Sequence, residues 1–210
     1  MPDAAAFGLF LAAAVVLAIT PGPGIFYVLA RSIQGGRREG YASAAGTAVG
    51  GLCHVVAAAL GVSAVLAASA TAFSVVKYIG AAYLIYLGIR ALLSKDQPIE
   101  LDNSARRESK RAFYQGITTE ILNPKTALFF LAFIPQFVNP HGLVVLEFLL
   151  LGSISVLLNS SVDMVVATLA GPIGAQLKKR AKLRQVQRMF SGISLIALGA
   201  YVALSGEKNT

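Results

Sequence analysis

Three ionisable side chains sit where the surrounding chain is almost wholly apolar: Glu120, Lys125 and Asp163. Placing a charge inside a bilayer costs about 2.5–3.5 kcal/mol on insertion scales, so such groups pair or face a cavity. Glu120 and Asp163 are carboxylates able to take up and release a proton. Lys125 can counter a substrate carboxylate or hold Glu120 ionised. A static Lys–Glu or Lys–Asp pair between helices is the competing reading. His54 is the third proton-relay candidate, since its imidazole titrates near neutrality; a plain interhelical hydrogen bond is its alternative. Asn159, Ser160 and Ser161 add polar groups one turn before Asp163. Glu147, near the other end of the same apolar stretch, reads as solvated. One cysteine, Cys53, and two distant histidines offer no metal cage, and no nucleophile–base pair or phosphate loop is visible. The chain therefore calls for no cofactor and reads as a non-enzyme.

Two proline motifs interrupt apolar stretches: Thr20-Pro21-Gly22-Pro23-Gly24 and Asn123-Pro124-Lys125. Proline lacks an N–H, so Pro21 and Pro23 free the carbonyls of Leu17 and Ile19, and Pro124 frees that of Glu120. Unpaired backbone at membrane depth is tolerated only inside protein or beside a watery cavity. Phe26-Tyr27 and Phe129-Phe130 follow the two prolines at the same offset. Prolines breaking corresponding helices of two halves point to a transport site. Counting residues at about 1.5 Å each puts Glu120, Lys125, Asp163 and the Thr20-Pro21 break at depths where they can converge.

The elements that must position these groups follow from composition. Of 210 residues 56% are hydrophobic and 13% charged. Soluble domains carry about 25% charged residues. Half the usual charge excludes disorder, a coiled coil and an ordinary cytosolic enzyme. Residues Ala4 to Ala30 are uncharged, too long a run for a signal peptide's apolar core of about 7–15 residues, and no Lys or Arg precedes it. About 20 apolar residues span a bilayer. That rule predicts six spans, near residues 6–29, two within 41–89 turning at Ser69-Ala70-Thr71, then 112–138, 142–170 and 189–204. Arg31, Arg37 and Arg38 fall in the first loop. Arg90, Lys95, Arg106, Arg107, Lys110 and Arg111 fall in the third, and Lys178, Lys179, Arg180, Lys182, Arg184 and Arg188 in the fifth. These are fifteen of the eighteen Lys and Arg residues. The positive-inside rule makes these loops cytoplasmic and both termini external. The net charge of +8 then reflects topology and anionic lipid, with no nucleic-acid partner needed.

The ordered motifs resemble the LysE/RhtB-type amino-acid exporters. They are Thr20-Pro21-Gly22-Pro23-Gly24, Gly46-xxx-Gly50-xxx-His54, the Gly80 to Gly88 segment with Tyr83 and Tyr86, Asn123-Pro124-Lys125, and Pro135-Gln136-Phe137. The resemblance covers nearly the whole chain. It implies a small inner-membrane exporter of amino acids or related amines, driven by the proton gradient. Asn159 stands where some members carry an aspartate, and Asp163 follows one turn later.

The resulting expectation is an all-α membrane protein, a single transporter domain over 1–210. Its six transmembrane helices form two inverted three-helix repeats, 1–93 and 112–210, joined by a cytoplasmic loop 94–111, with helices 1 and 4 broken at the proline motifs. The substrate-binding set is Thr20, Pro21, Gly22, Pro23, Gly24, Asn123, Pro124, Lys125 and Asn159. The proton-coupling set is Asp163, Glu120 and His54. The partners are an amino acid, protons and membrane lipid, and a homo-oligomer is compatible with the composition. Export of a metal cation is the alternative function; a redox carrier or structural subunit fits less well.

Overall fold

The computed structural model describes residues 3–68, 70–93, 109–140, 142–179 and 181–204. Among these residues every regular element is helical. In chain order they are α1 (Ala4–Ile19), α2 (Pro23–Ala68), α3 (Ala70–Leu93), α4 (Ser109–Ile121), α5 (Pro124–Leu128), a π-helical turn Phe129–Phe133, a 3₁₀ turn Ile134–Phe137, α6 (Val144–Lys179) and α7 (Ala181–Leu204). Two of the described helices are long and apolar enough to cross a membrane, Pro23–Gly61 and Val144–Ala170. A third crossing results if the bent pair Ser109–Ile121 and Pro124–Phe137 is one span. Ala4–Ile19 and Arg188–Leu204 are shorter apolar helices. The outward faces are apolar too: Leu52, Val56, Leu60, Leu157, Val165 and Ile193 are all exposed, as a hydrocarbon solvent requires.

Each helix break follows from local chemistry. Asp3 caps α1, its carboxylate accepting from the Ala6 N–H at 2.8 Å. α1 stops at Thr20, which is extended (φ −72°, ψ 114°), because Pro21 cannot continue the hydrogen-bond ladder. Asn123 is likewise extended (φ −79°, ψ 106°) and caps α5, accepting from the Lys125 N–H at 3.1 Å. Pro124 occupies the first helical position, where no N–H is needed. The chain bends by 46° between the two arms of this broken helix. α2 contains one non-helical residue, Gly36 (φ 75°, ψ −177°), a conformation that costs glycine nothing. It divides α2 into a first arm ending at Gly35 and a longer returning arm.

The closest packing is α2 against α4 and α6, and α3 against α7. A Cβ on Gly46 would overlap the Phe113 carbonyl, and one on Gly116 would lie 2.6 Å from Ser43 O. On the other seam a Cβ on Gly88 would lie 2.6 Å from Gly192 O. These glycines let backbones touch, as small residues do between membrane helices. Gly46→Leu is therefore expected to cost about 1–3 kcal/mol, a fall of about 2–10 °C in unfolding temperature for a chain this size. Thermal unfolding of the purified variant reads this directly; an unchanged midpoint would mean the α2–α4 seam can spread freely.

The structure corrects several expectations. Arg31 is not a loop charge: it lies within α2 and is 3% exposed. Arg37 and Arg38 are also helical, since Gly36 is the sole irregular residue there. Lys178 and Lys179, expected in a loop, continue α6, while the apolar span itself ends at Ala170 as expected. Glu147 is buried, not solvated, and accepts from the Asn139 N–H at 2.9 Å. Phe129 and Phe130 are buried, whereas Phe26 is 43% exposed, so the matched aromatic pairs have different surroundings. Lys95, Arg106, Arg107, Arg180, Lys208, the turn residue Ser69 and the C-terminal Thr210 lie outside the described residues.

Candidate functional site

The two breaks meet. The Lys125 ammonium, six per cent exposed, donates to Thr20 O at 2.8 Å and to Leu17 O at 3.1 Å. Leu17 O is a carbonyl that Pro21 leaves without its helical donor. Lys125 therefore caps the C-terminal, negative end of the α1 dipole. The partner break shows the same economy of backbone groups. Pro124 frees Glu120 O, and His54 Nε2 bonds that oxygen at 2.9 Å, alongside the Asn123 N–H at 3.0 Å. The His54 ring stacks on Phe130 at 6.1 Å between centroids.

The Glu120 side chain points the other way. Its Oε2 accepts from Asn123 Nδ2 at 3.1 Å and its Oε1 from Thr126 Oγ1 at 2.6 Å. A Cβ on Gly24 would stand 2.6 Å from Glu120 Oε2, so Gly24 is the residue that lets a carboxylate approach the start of α2. That helix N-terminus carries partial positive charge. The anion beside it here is the protein's own Glu120. Lys125 and Glu120 thus complement the two dipole ends exposed by the first break. The competing reading, a static Lys–Glu or Lys–Asp pair, is not what forms: among the described residues, no carboxylate oxygen lies within 4.0 Å of the Lys125 ammonium.

Asp163 approaches from α6. It is five per cent exposed, and its Oδ2 accepts from Thr47 Oγ1 at 2.8 Å. Glu120, Asn123, Lys125, Thr126 and Asp163 line one crevice with Gly24, Thr47, Asn159 and Ser160. Ile25, Ala48, Gly51, Phe130 and Val156 supply its apolar wall. Asn159 Nδ2 donates to Ser155 O at 3.3 Å, within its own helix. The free space at the centre is about 20 Å³, roughly one water. Beyond Phe130 the crevice is backed by packed rings, with Phe129 stacked on Phe133 and Phe137 tilted against Phe133, both 5.0 Å between centroids.

Of the residues singled out from the sequence, Gly24, Asn123, Lys125, Asn159, Glu120 and Asp163 share this crevice. Thr20 contributes its carbonyl through Lys125, and Gly22 packs on the Lys125 stem, where an added Cβ would lie 3.3 Å from Cε. Pro21, Pro23 and Pro124 act on the backbone and are not among the lining side chains. His54 stands behind Glu120, bonded to its carbonyl rather than to its carboxylate. Thr47 and Thr126 were not singled out. Threonines are common in helices, and nothing in spacing tells that these hydroxyls meet Asp163 and Glu120. Among the described residues no three His, Cys, Asp or Glu side chains are grouped to hold a metal ion.

Restoring the missing N–H should show what the breaks do. Pro21→Ala supplies a donor that competes with Lys125 for Leu17 O, and Pro124→Ala one that competes with His54 for Glu120 O. Each is expected to lower export at least about tenfold with membrane insertion intact, since straightening a helix misplaces the groups beyond it. Transport assays normalised to inserted protein test this. Wild-type rates in both variants would reduce the prolines to ordinary kinks.

Comparison with known proteins gives these features a family. The model of the LysE type translocator matches residues 15–206. The chain is 31% identical to the homoserine/homoserine lactone efflux protein of Salmonella typhimurium, covering 92% of this chain and 94% of that one. It is also 31% identical to the uncharacterized membrane protein YrhP of Bacillus subtilis, over 93% and 97% of the two chains. The leucine efflux protein of Klebsiella pneumoniae is 29% identical over 92% of each. No solved structure matches the chain significantly. The match runs through both broken helices and the crevice between them, and the chain belongs to the LysE-type translocator family, multi-pass membrane transporters rather than enzymes.

Proposed function

We propose that this protein exports a small amino acid or related amine in exchange for protons. The observation that carries the reading is the crevice itself. Two buried carboxylates and one buried ammonium face each other where two proline-broken helices meet. An amino acid brings one ammonium and one carboxylate, matching groups of both signs. Efflux of homoserine and of leucine by two relatives supports the same substrate class. Thr20, Pro21, Gly22, Pro23, Gly24, Asn123, Pro124, Lys125 and Asn159 form the substrate subsite in this reading. Asp163 carries the coupling proton, with Glu120 second and His54 third. Asp163 ranks first because its carboxylate has one neutral hydroxyl donor, whereas Glu120 is held by Asn123 and Thr126. His54 ranks last because its Nε2 is engaged with a carbonyl.

The same proposal includes six spans in two inverted triplets, a cytoplasmic loop 94–111, a bacterial inner-membrane location and both termini outside. The similar extended geometry at Thr20 and Asn123 supports the paired halves. The clustering of Lys and Arg around the Gly36 break, between positions 90 and 111 and between positions 178 and 188 supports the orientation. A reporter fused after Thr210 that functions only outside the cytoplasm is expected to be active; activity of a cytoplasm-only reporter there would overturn the topology. Substrate choice is tested by a counterflow panel of amino acids in proteoliposomes. Trans-accelerated uptake of one or a few small amino acids is the expected result. A panel with no trans-acceleration would contradict the substrate class.

A further inference from the structure

A second polar layer lies on one side of the crevice, and the transport reading makes no use of it. Arg31 and Glu39 form an ion pair at 3.4 Å with side chains only 4% and 8% exposed. Arg31 Nε also donates to Tyr27 Oη at 3.2 Å, and its Nη2 to Gln115 Oε1 at 3.2 Å. The Tyr27 hydroxyl donates in turn to Ala112 O at 2.8 Å. Between α2 and α6, Tyr41 Oη and Thr168 Oγ1 are 3.0 Å apart, and Arg37 Nε donates to Thr168 O at 3.2 Å. The layer therefore ties together both arms of α2, α4 and α6.

Its position follows from helix rise. Arg31 is about 10 Å along the first arm of α2 from Gly24, and Glu39 about 12 Å along the returning arm from Thr47. Gln115 and Thr168 each lie about 7–8 Å from Glu120 and Asp163 along their own helices. Every displacement runs toward the end of the bundle that carries Arg37 and Arg38. We infer that Arg31, Glu39, Tyr27 and Gln115 form a gate on this basic side of the crevice, hinged at Gly36, which must part for substrate to pass. The inference rests on the crevice being the transport site.

Three observations favour a gate over a fixed brace. The crevice has room for about one water, so an amino acid enters only if a wall moves. Its far wall is close-packed aromatic core, which resists opening. This side is closed by a few polar contacts that water can replace when they part, and a buried ion pair adds little net stability against its hydrated state. The third observation is the hinge. Gly36 lies between the paired residues, at a positive φ of 75°, with open space where a Cβ would stand. The two arms can change their angle there without unwinding a helical turn.

The test uses the full chain in sealed membrane vesicles of both orientations. Cys53→Ser removes the native thiol, and Ser160→Cys places a single thiol on the crevice wall. A membrane-impermeant maleimide is added to either face, and labelling is scored only on inserted, monodisperse protein. Arg31→Gln and Glu39→Gln are expected to speed labelling from the basic-loop face at least about tenfold, the shift given by a modest change in the closed-to-open balance. Labelling from the opposite face should not change. Tyr27→Phe keeps the ring and loses one hydroxyl; a smaller acceleration from the same face is expected, and it carries the test if the charge variants do not fold. Rates within about twofold of the parent, or acceleration from both faces alike, would overturn the gate. The two readings fail separately. If an amino acid slows labelling while the gate variants leave it unchanged, the gate falls and the transport site stands. If the gate variants speed labelling from the basic-loop face and no amino acid slows it, the transport site falls and the gated access stands.

Discussion

Asp163→Asn is expected to abolish uphill export while leaving downhill exchange within about tenfold of wild type. An antiporter needs a group that carries the proton across the same cycle as the substrate, and asparagine cannot. The fold should tolerate the change. Asparagine keeps an oxygen that can accept from Thr47 Oγ1, the hydrogen bond Asp163 makes now. Expression and thermal stability should therefore stay near wild type, which separates lost coupling from lost folding. The measurement is accumulation of labelled amino acid against its gradient, beside exchange at equal concentrations. Concentration of substrate by the variant would move the coupling proton to another residue, with Glu120 the next to test. Glu120→Gln, by contrast, is expected to weaken substrate binding, because its carboxylate organises Asn123 and Thr126 at the second break.

Lys125→Met is expected to damage both folding and transport. The ammonium holds Thr20 O and Leu17 O where the first helix ends. Leu17 O keeps the Thr20 N–H at 3.1 Å, whereas Thr20 O loses the donor described here. A buried acceptor left unpaired costs about 1–3 kcal/mol. Removing the cation also leaves Glu120 and Asp163 in one crevice without an opposite charge. The expected outcome is a lower unfolding temperature together with loss of both uphill and downhill transport. Retained transport with unchanged stability would show that the two breaks do not depend on this link.

These two variants mark what the sequence made legible. Proline chemistry located the freed carbonyls of Leu17 and Glu120, because a missing N–H is a local fact. It did not say that Lys125 and His54 would meet them, since those contacts depend on how helices far apart in sequence are placed. The convergence of Glu120, Lys125 and Asp163 could be argued from depth alone. Thr47 and Thr126 could not, because a threonine in an apolar helix more often bonds its own backbone than a carboxylate. Arg31 was misplaced for a related reason. Counting hydropathy ends a span at the first charge, yet a guanidinium paired with Glu39 and bonded to Tyr27 and Gln115 can stay inside the bundle. In α6 the apolar span ends at Ala170 as counted, but basic residues do not stop a helix, which runs on through Lys178 to Lys179.

The central claim is that this crevice exchanges an amino acid for protons. Proteoliposomes containing the full chain, acidic inside, are given the labelled amino acid that the counterflow panel selects. The account predicts transient accumulation inside, above the external concentration, as protons leave. A protonophore should collapse the accumulation, and Asp163→Asn vesicles should reach only equilibration. Accumulation that ignores the pH gradient, or equilibration without accumulation in the wild type, would contradict it.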